Sequence, residues 1–483
     1  MINLGIGALI LAIWIITLFL GKDIGLSMLL FTAPFVYFFI HLLEENNKIK
    51  NSRSKILLIP ILLLSSTYFI YDNTFFNNWN LLIIPILIVF MILGLIGEKL
   101  EINLDTIGTL LGVFLTPISY IGESIKKLVE AIGGKLSIKT NDKTKKIFKA
   151  ILITVPIVLV IIILLSSADE IFANIFKSIF GNIFHMLWTI NISKIICMLI
   201  AFLYFMGLFY YICIKYEVIQ KIEENSSQRY DNFTIKTILI SLNVIYLVFC
   251  CIQIKSLFIR NTTLNYAHYA RQGFFQLMVV SLINLLVILI AKKRENKEEE
   301  KSNKYINYMS LLMIFFTFII VISAAIRMHF YESAYGYTLF RLLVYCILLT
   351  ECILFIPTIL YILDKKNNLS KCYFTIIIIT YVCMNFANFD NIIASKNVDR
   401  YIETGKIDMY YLKYEMGTDA VRQIFRILEA SSTDTEEIKI EARKYLQDVY
   451  KRIDEEKFDF RNFNISKLLA KNLIGNELEL NDN

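Results

Sequence analysis

Three clusters of ionisable and aromatic residues interrupt a chain otherwise dominated by apolar runs, and any chemistry has to be sought there first. Ser167, Ala168, Asp169 and Glu170 follow one such run. A second cluster, Tyr266 to Phe275, reads Tyr-Ala-His-Tyr-Ala-Arg-Gln-Gly-Phe-Phe and contains His268, Tyr269 and Arg271. The third holds Arg327, Met328, His329, Phe330, Tyr331 and Glu332, then Tyr335, Gly336, Tyr337, Thr338 and Arg341. Read as a pocket, Arg271, Arg327 and Arg341 bind an anionic group, because a guanidinium offers a fixed fork of donors, and Asp169, Glu170 and Glu332 balance their charge. Read as a membrane boundary, the tyrosines form an interfacial belt while Arg and His reach the head groups. A metal site would need His185, His268, His329 and a carboxylate to converge. No two of these histidines have the spacing of ligands on one helix, so no metal or other cofactor is expected.

A second polar layer lies deeper. Glu351 comes ten residues after Arg341, roughly 15 Å along a helix, which puts it near the bilayer midplane. Asn243, Asn284 and Asn385 fall at similar depth when each helix is counted from its own end. An ionisable side chain there costs about 2.5 to 3.5 kcal/mol on insertion scales, so it is a functional candidate by default. The plainer account is that the acid and the amides join helices through hydrogen bonds of about 0.6 to 2 kcal/mol each. The functional account is a proton or cation step. The chain contains no phosphate-binding glycine loop, no paired His at metalloprotease spacing and no Gly-x-Ser-x-Gly elbow, which favours a non-enzymatic role without deciding the matter.

The elements that must carry these residues are membrane helices. Of 483 residues 56% are hydrophobic and 19% charged, against roughly 25% charged in an average soluble domain. Runs such as 2–20, 24–43, 81–97, 150–167 and 308–326 are nearly free of charge over the ~17 to 25 residues that cross about 30 Å of hydrocarbon. The first run lacks a basic leader and a small-residue cleavage site, so it reads as a membrane helix. The eight cysteines, Cys197, Cys213, Cys250, Cys251, Cys346, Cys352, Cys372 and Cys383, lie in or beside apolar runs and read as small core residues. The fold class is therefore all-α, a polytopic transmembrane bundle with a small C-terminal helical tail.

Charge sets the expected orientation. Lys and Arg gather in loops 44–55, 123–149, 214–233, 292–307 and 363–372, which should face the cytoplasm, and connections 72–80, 168–190, 257–272 and 327–337 should face outward. Three apolar runs lie between the first two basic loops. An odd number of crossings would put the lysines of 123–149 on the wrong face, so one run must fail to cross. The run 104–122, with Asp105, Gly108, Gly112, Pro117 and Gly122, is the weakest, and reads as re-entrant or interfacial. Eleven crossings result, with the N-terminus inside and the tail outside. In the tail, Thr418 and Asp419 cap a helix from Ala420 to Leu428, Thr433 and Glu436 have capping-box spacing before Ile438 to Ile453, and Asn464 precedes Ile465 to Ile474 with Gly475 as stop. The resulting regions are 1–122, N-terminal membrane helices; 123–149, a basic cytoplasmic loop; 150–392, the membrane core; and 393–483, an extracytoplasmic helical tail.

At these clusters the chain resembles the bacterial multipass membrane proteins grouped as domain of unknown function forty-one seventy-three, and the related forty-one fifty-three. The resemblance rests on Tyr266 to Phe275, on Arg327, Met328 and Tyr331 through Tyr335, Gly336, Thr338 and Arg341, and on Asn397, Val398, Arg400 and Tyr401 with Ile407, Asp408, Tyr411 and Leu412. Asn464, Ile465 and Ser466 echo it. It covers roughly residues 150–475 and implies a bacterial plasma-membrane protein without an established activity, so it assigns no catalytic residue. The expected role is a cell-envelope sensor or an assembly and interaction protein with an outward-facing polar pocket. A secondary transporter using Glu351 is one alternative, and an enzyme acting on a lipid-linked substrate, with Asp169, Glu170 or His268 as acid or base, is another. The expected partners are the bilayer and a protein reached through the tail. Nucleic-acid binding is not implied.

Overall fold

A computed structural model describes residues 1–21, 23–98, 104–135, 192–216, 232–258, 274–295, 300–364, 368–430, 436–456 and 459–478. These residues are helical throughout, with no strand among them. Ten of the helices are long and apolar enough to cross a membrane. They are α1 (Ile2–Phe19), α2 (Leu26–Glu45), α3 (Leu58–Ile70, entered through a 3-10 turn Ser52–Leu57), α4 (Thr74–Ile96), α7 (Ile192–Tyr210, ending in a π turn Tyr211–Lys215), α8 (Asn232–Phe258), α9 (Phe274–Arg294), α10 (Glu300–Tyr335), α11 (Leu339–Asp364) and α12 (Leu369–Phe386). The other expected crossing, 150–167, lies outside the described residues.

The run that parity singled out forms α5 (Leu104–Ser119), 16 residues long. At 1.5 Å per residue it spans roughly 24 Å, short of a full crossing. After Tyr120 the chain turns into α6 (Ile121–Lys135), whose Glu123 takes a hydrogen bond from Tyr210 at 2.7 Å and an ion pair from Lys215 at 3.0 Å.

The chain divides into two compact units. Unit 1 comprises 1–69, 80–219 and 458–463. Its short distal strand of chain closes the start of α2: Leu26 and Ser27 donate their free N–H groups to the carbonyls of Phe463 and Arg461 at 3.1 and 3.0 Å, satisfying donors that every helix N-terminus leaves open.

Unit 2 comprises 70–79, 220–457 and 464–483. Helices α8 to α12 enclose two apolar cores. One is built around Leu239, Ile288, Met313, Phe355 and Ile362, the other around Leu277, Ile320, Ala324, Met328 and Leu348. A third core, with Phe389, Val398, Leu412, Ile424, Leu446 and Ile474 at its centre, belongs to a C-terminal module of α13 (Phe389–Thr404), α14 (Met409–Tyr414), α15 (Val421–Glu429), α16 (Glu436–Glu455) and α17 (Ile465–Glu477). Side-chain caps start three of these helices: Asn388, Asp408 and Asn464 accept from the N–H groups of Asn391, Tyr411 and Lys467.

Several boundaries differ from expectation. Residues 327–335 are not a connection. They continue α10 for a total of 36 residues, roughly 54 Å, because a helix that outruns the hydrocarbon has no need to stay apolar. Helix α4 likewise begins at Thr74 and absorbs most of the expected connection 72–80. The expected crossing 373–392 is really two helices broken at Ala387 and Asn388, where Asn388 takes φ +48°. Gly475 does not stop α17, which runs on to Glu477. The proposed cap Thr433 lies outside the described residues.

Candidate functional site

The turn between α10 and α11 gathers most of the residues that the third cluster contributes. Glu332, 3% exposed, accepts from the Tyr345 hydroxyl at 3.1 Å through Oε2, while its Oε1 is buried without a hydrogen-bond partner. The Arg341 guanidinium lies 4.3 Å from the centre of the Tyr331 ring and donates to the Gly336 carbonyl, a cation held by a ring face and a backbone dipole. Tyr331 stacks in turn on Phe274 and meets Tyr335 at a tilt.

The C-terminal module grips this turn. Asn397 of α13 accepts from the Tyr337 N–H and donates to the Tyr337 carbonyl, both at 2.8 Å. Arg400 donates to the Ala334 carbonyl at 2.7 Å, and the Tyr411 hydroxyl accepts from the Leu339 N–H at 2.8 Å. Gly336 makes the grip fit. It has φ +85°, and a Cβ there would lie 2.7 Å from Asn397 Oδ1.

Where the module meets residues 70–79, three aspartates come together. Asp390, 2% exposed, accepts from the Asn73 amide at 2.8 Å and the Gly417 N–H at 2.9 Å. Asp419 accepts from the Asp72 N–H at 2.8 Å, and Asp72 accepts from the Thr418 N–H at 3.2 Å. Burial first, then the neighbouring Asp419 and Asp72, push the Asp390 carboxyl up to about 7, and burial also raises Asp72 and Asp419. Beside them is a polar cavity of about 280 Å³ whose walls include Asp72, Lys413, Thr418, Arg452, Glu456 and Lys467. Lys467 pairs with Glu456 at 2.9 Å, and Lys413 with Glu441 at 2.5 Å.

Buried polar groups are interspersed with the two apolar cores of α8 to α12 and form a seam along the helices. Ser281 on α9 is 2.8 Å from Oε2 of Glu351 on α11. One turn along α9, Asn284 donates to Thr317 of α10 at 3.0 Å and accepts from Tyr246 of α8 at 2.5 Å. Asn243, one turn earlier on α8, donates to the Met309 carbonyl at 3.0 Å. Towards the Glu332 end, Gln253 of α8 accepts from Ser323 at 2.8 Å and from Arg327 at 3.1 Å. At the other end Lys292 and Glu295 form a pair at 2.7 Å with both side chains 1% exposed, and Lys292 also donates to Asn307 at 2.5 Å.

The sequence-derived candidates thus separate. Tyr331, Glu332 and Arg341 share the turn; Arg327 is turned to Gln253; His329 and Tyr335 are exposed. Asp169, Glu170, His185, His268, Tyr269 and Arg271 lie outside the described residues. Of the deep layer, Glu351 and Asn284 are neighbours through α9, and Asn243 joins the same seam one helix away. Asn385 does not share their depth, since it is the penultimate residue of α12, where its amide donates to the Tyr381 carbonyl. Among the described residues no group of three or more His, Cys, Asp or Glu side chains is placed to hold a metal ion. Sequence reading missed Ser281, Tyr246 and Gln253, although Asn243, Tyr246, Cys250 and Gln253 recur at helical spacing. It also missed the meeting of the three aspartates: Asp419, expected with Thr418 to cap a helix, accepts instead from the Asp72 N–H, and no side-chain cap starts α15.

Comparison with known proteins gives one identification. No curated protein and no solved structure matches the chain. A family model matches residues 58–427, from α3 into α15, so the matched region starts far before residue 150, where the motif resemblance began, and takes in the first helices of the C-terminal module. Of the two groups that the motifs resemble, the match is to the second: the chain belongs to the family described as Domain of unknown function (DUF4153).

Proposed function

We propose that this is a coupling protein of the bacterial plasma membrane, a sensor or assembly factor that links its membrane helices to the C-terminal module and presents that module to a protein partner. The observation that carries this reading is the pairing of Asn397 with both backbone groups of Tyr337. A side-chain amide that takes the donor and the acceptor of one residue fixes position and orientation together. Arg400 and Tyr411 add two further hydrogen bonds to the same turn. Motif residues spent in this way hold structure, which favours transmission over catalysis.

The surface left for a partner is apolar. Tyr410 and Tyr414, with ring centres 4.8 Å apart, are 68% and 69% exposed, and Ile440 and Leu469 are 65% and 62% exposed on otherwise charged helices. The basic loops assign this face to the outside by the positive-inside rule, and the group of Tyr331, Glu332 and Arg341 at the foot of the module is where an outer ligand would act on the turn. A photo-crosslinking residue placed at 410, 414 or 469 in growing cells tests the reading. One defined protein adduct is expected, weakened when Asn397→Leu releases the turn. Absence of an adduct from all three positions, or an adduct indifferent to Asn397→Leu, would overturn it.

A further inference from the structure

Glu351 sits near the middle of α11, 1% exposed, with Ser281 as its hydrogen-bond partner among the described residues. The Ser281 hydroxyl is 2.8 Å from Glu351 Oε2 and equally 2.8 Å from the Met278 carbonyl. A serine carries one hydroxyl proton and cannot give it fully to both. Shared between them, that one proton makes two weak bonds; each contact has a proton of its own when Ser281 donates to Met278 and the carboxyl itself donates to Ser281. The other carboxyl oxygen, Oε1, is buried with no hydrogen-bond partner among the described residues.

That orphan is one of a series. Among the described residues Ser302 Oγ, Ser310 Oγ, Asn243 Oδ1 and Glu332 Oε1 are also buried without a hydrogen-bond partner, and each is on α10 or on α8, which packs against it. From Ser302 to Glu332 the series extends over roughly 45 Å of helix, more than the ~30 Å of hydrocarbon. A buried polar atom left unpaired costs about 1 to 3 kcal/mol, and bound water is the usual way in which that cost is met. All five can accept a hydrogen bond, and what they need is a donor.

We infer that the seam between α8 and α11 holds a file of internal water, and that Glu351 is a proton-carrying site on it, so that the protein conducts protons along α10. In one step the Glu351 carboxyl gives its proton to a water on one side, leaving a carboxylate and a hydronium. The Ser281 hydroxyl then turns from the Met278 carbonyl to the carboxylate, and a proton from a water on the other side restores the acid. The charged groups facing the seam stand at its ends. Arg327, Glu332 and Arg341 are at one, and the Lys292–Glu295 pair is at the other. A hard metal cation would require six or more converging oxygens, against the single Ser281 partner of Glu351. The inference shares Glu332 and Arg341 with the partner reading above but its test does not, since Glu351 and Ser281 take no part in that reading.

The test uses the full chain purified into liposomes that contain a pH-sensitive dye, with proton flux driven by a potassium diffusion potential. Flux well above that of protein-free vesicles is expected, reduced roughly 100-fold by Glu351→Gln, the low end of the cost of removing an acid–base group. Glu351→Asp should retain part of it, and Ser281→Ala should lower it several-fold. Wild-type vesicles no leakier to protons than empty ones, an unaffected Glu351→Gln, or a flux that follows sodium instead of protons would each overturn the proposal. A readout that needs no flux is the infrared difference between the wild type and Glu351→Gln, expected to show a carbonyl band of a protonated carboxylic acid in addition to the signal that Asp390 gives to both. A difference spectrum without that band would overturn the assignment of the proton.

Discussion

Asp390 and Glu351 are buried alike, 2% and 1% exposed, yet their surroundings treat them in opposite ways. Each oxygen of Asp390 has a donor, one from Asn73 and one from the Gly417 backbone. Glu351 has, among the described residues, one hydrogen-bonding neighbour for two oxygens, and that neighbour's proton is already in demand. The first arrangement is what a fold does with a carboxyl that it uses for structure. The second, repeated at Glu332, Asn243 and Ser310, is the arrangement on which the proton-carrying proposal for Glu351 rests. Burial alone therefore does not separate a structural acid from a working one. The supply of donors does.

The comparison breaks first, and hardest, at Gly417. A Cβ at this position would lie 1.8 Å from the carbonyl oxygen of Asp72, an overlap with backbone that no rotamer relieves. Gly417→Ala should displace the N–H that Asp390 depends on and cost more than about 4 kcal/mol, the range kept for severe mechanisms. Limited proteolysis in detergent should then cleave the C-terminal module readily, and a protected module would show that the aspartate cluster is not what seats it.

A change of pH acts on the same cluster with a smaller amplitude. The ordinary aspartate value is 3.8, and Asp390 is raised to about 7 in the fold, with Asp72 and Asp419 raised as well. Between these values the folded protein holds a proton that the unfolded chain releases. The stabilisation is fully present below pH 4 and is lost as the pH rises through 7, by a few kcal/mol at about 1.36 kcal/mol per unit. The unfolding temperature of the module should therefore fall from pH 5 to pH 8, and Asp390→Asn should flatten that dependence. A module that grows more stable as the pH rises would reverse the assignment.

Asn397→Leu comes next. It removes one donor and one acceptor from Tyr337, which at 1 to 3 kcal/mol for each stranded group suggests a loss of about 2 to 4 kcal/mol, softened where water reaches the turn. Hydrogen exchange at the Tyr337 and Leu339 amides is the sensitive measure, and both should quicken together. If only Tyr337 responds, the turn is held by Tyr411 and Asn397 separately instead of as one clamp.

How much of this was legible in the sequence depends on the range of the interaction. The ten described crossings follow from the length of apolar runs, a local property, and so does the short α5. Helix ends were harder: Arg327, His329 and Glu332 look like a loop because they are charged, although a helix leaving the membrane gains nothing by unwinding there. The polar stripe of α8 was readable at Asn243, Tyr246, Cys250 and Gln253, where the spacing alternates between three and four residues. The aspartate cluster was out of reach. Asn73 and Asp390 are 317 residues apart, and Asp72 and Asp419 347 apart, with nothing near any of them to announce the others.

Glu351→Gln carries the smallest expected change in stability and sharpens the comparison most. If the carboxyl already holds a proton, a glutamine of the same shape replaces one neutral group by another, and its amide can still donate to Ser281 while Ser281 donates to Met278. Such a volume-conserving exchange should alter the unfolding free energy by less than about 1 kcal/mol. At pH 8, where Asp390 is ionised and accepts from both donors, the same change there sets an amide N–H against either the Asn73 amide or the Gly417 N–H, donor facing donor, and should cost about 1 to 3 kcal/mol. Measured side by side in one detergent, the two variants should differ in that order. If Glu351→Gln destabilises as much as Asp390→Asn, then Glu351 is a structural carboxylate whose partner is fixed, and the two regions are built on the same principle after all.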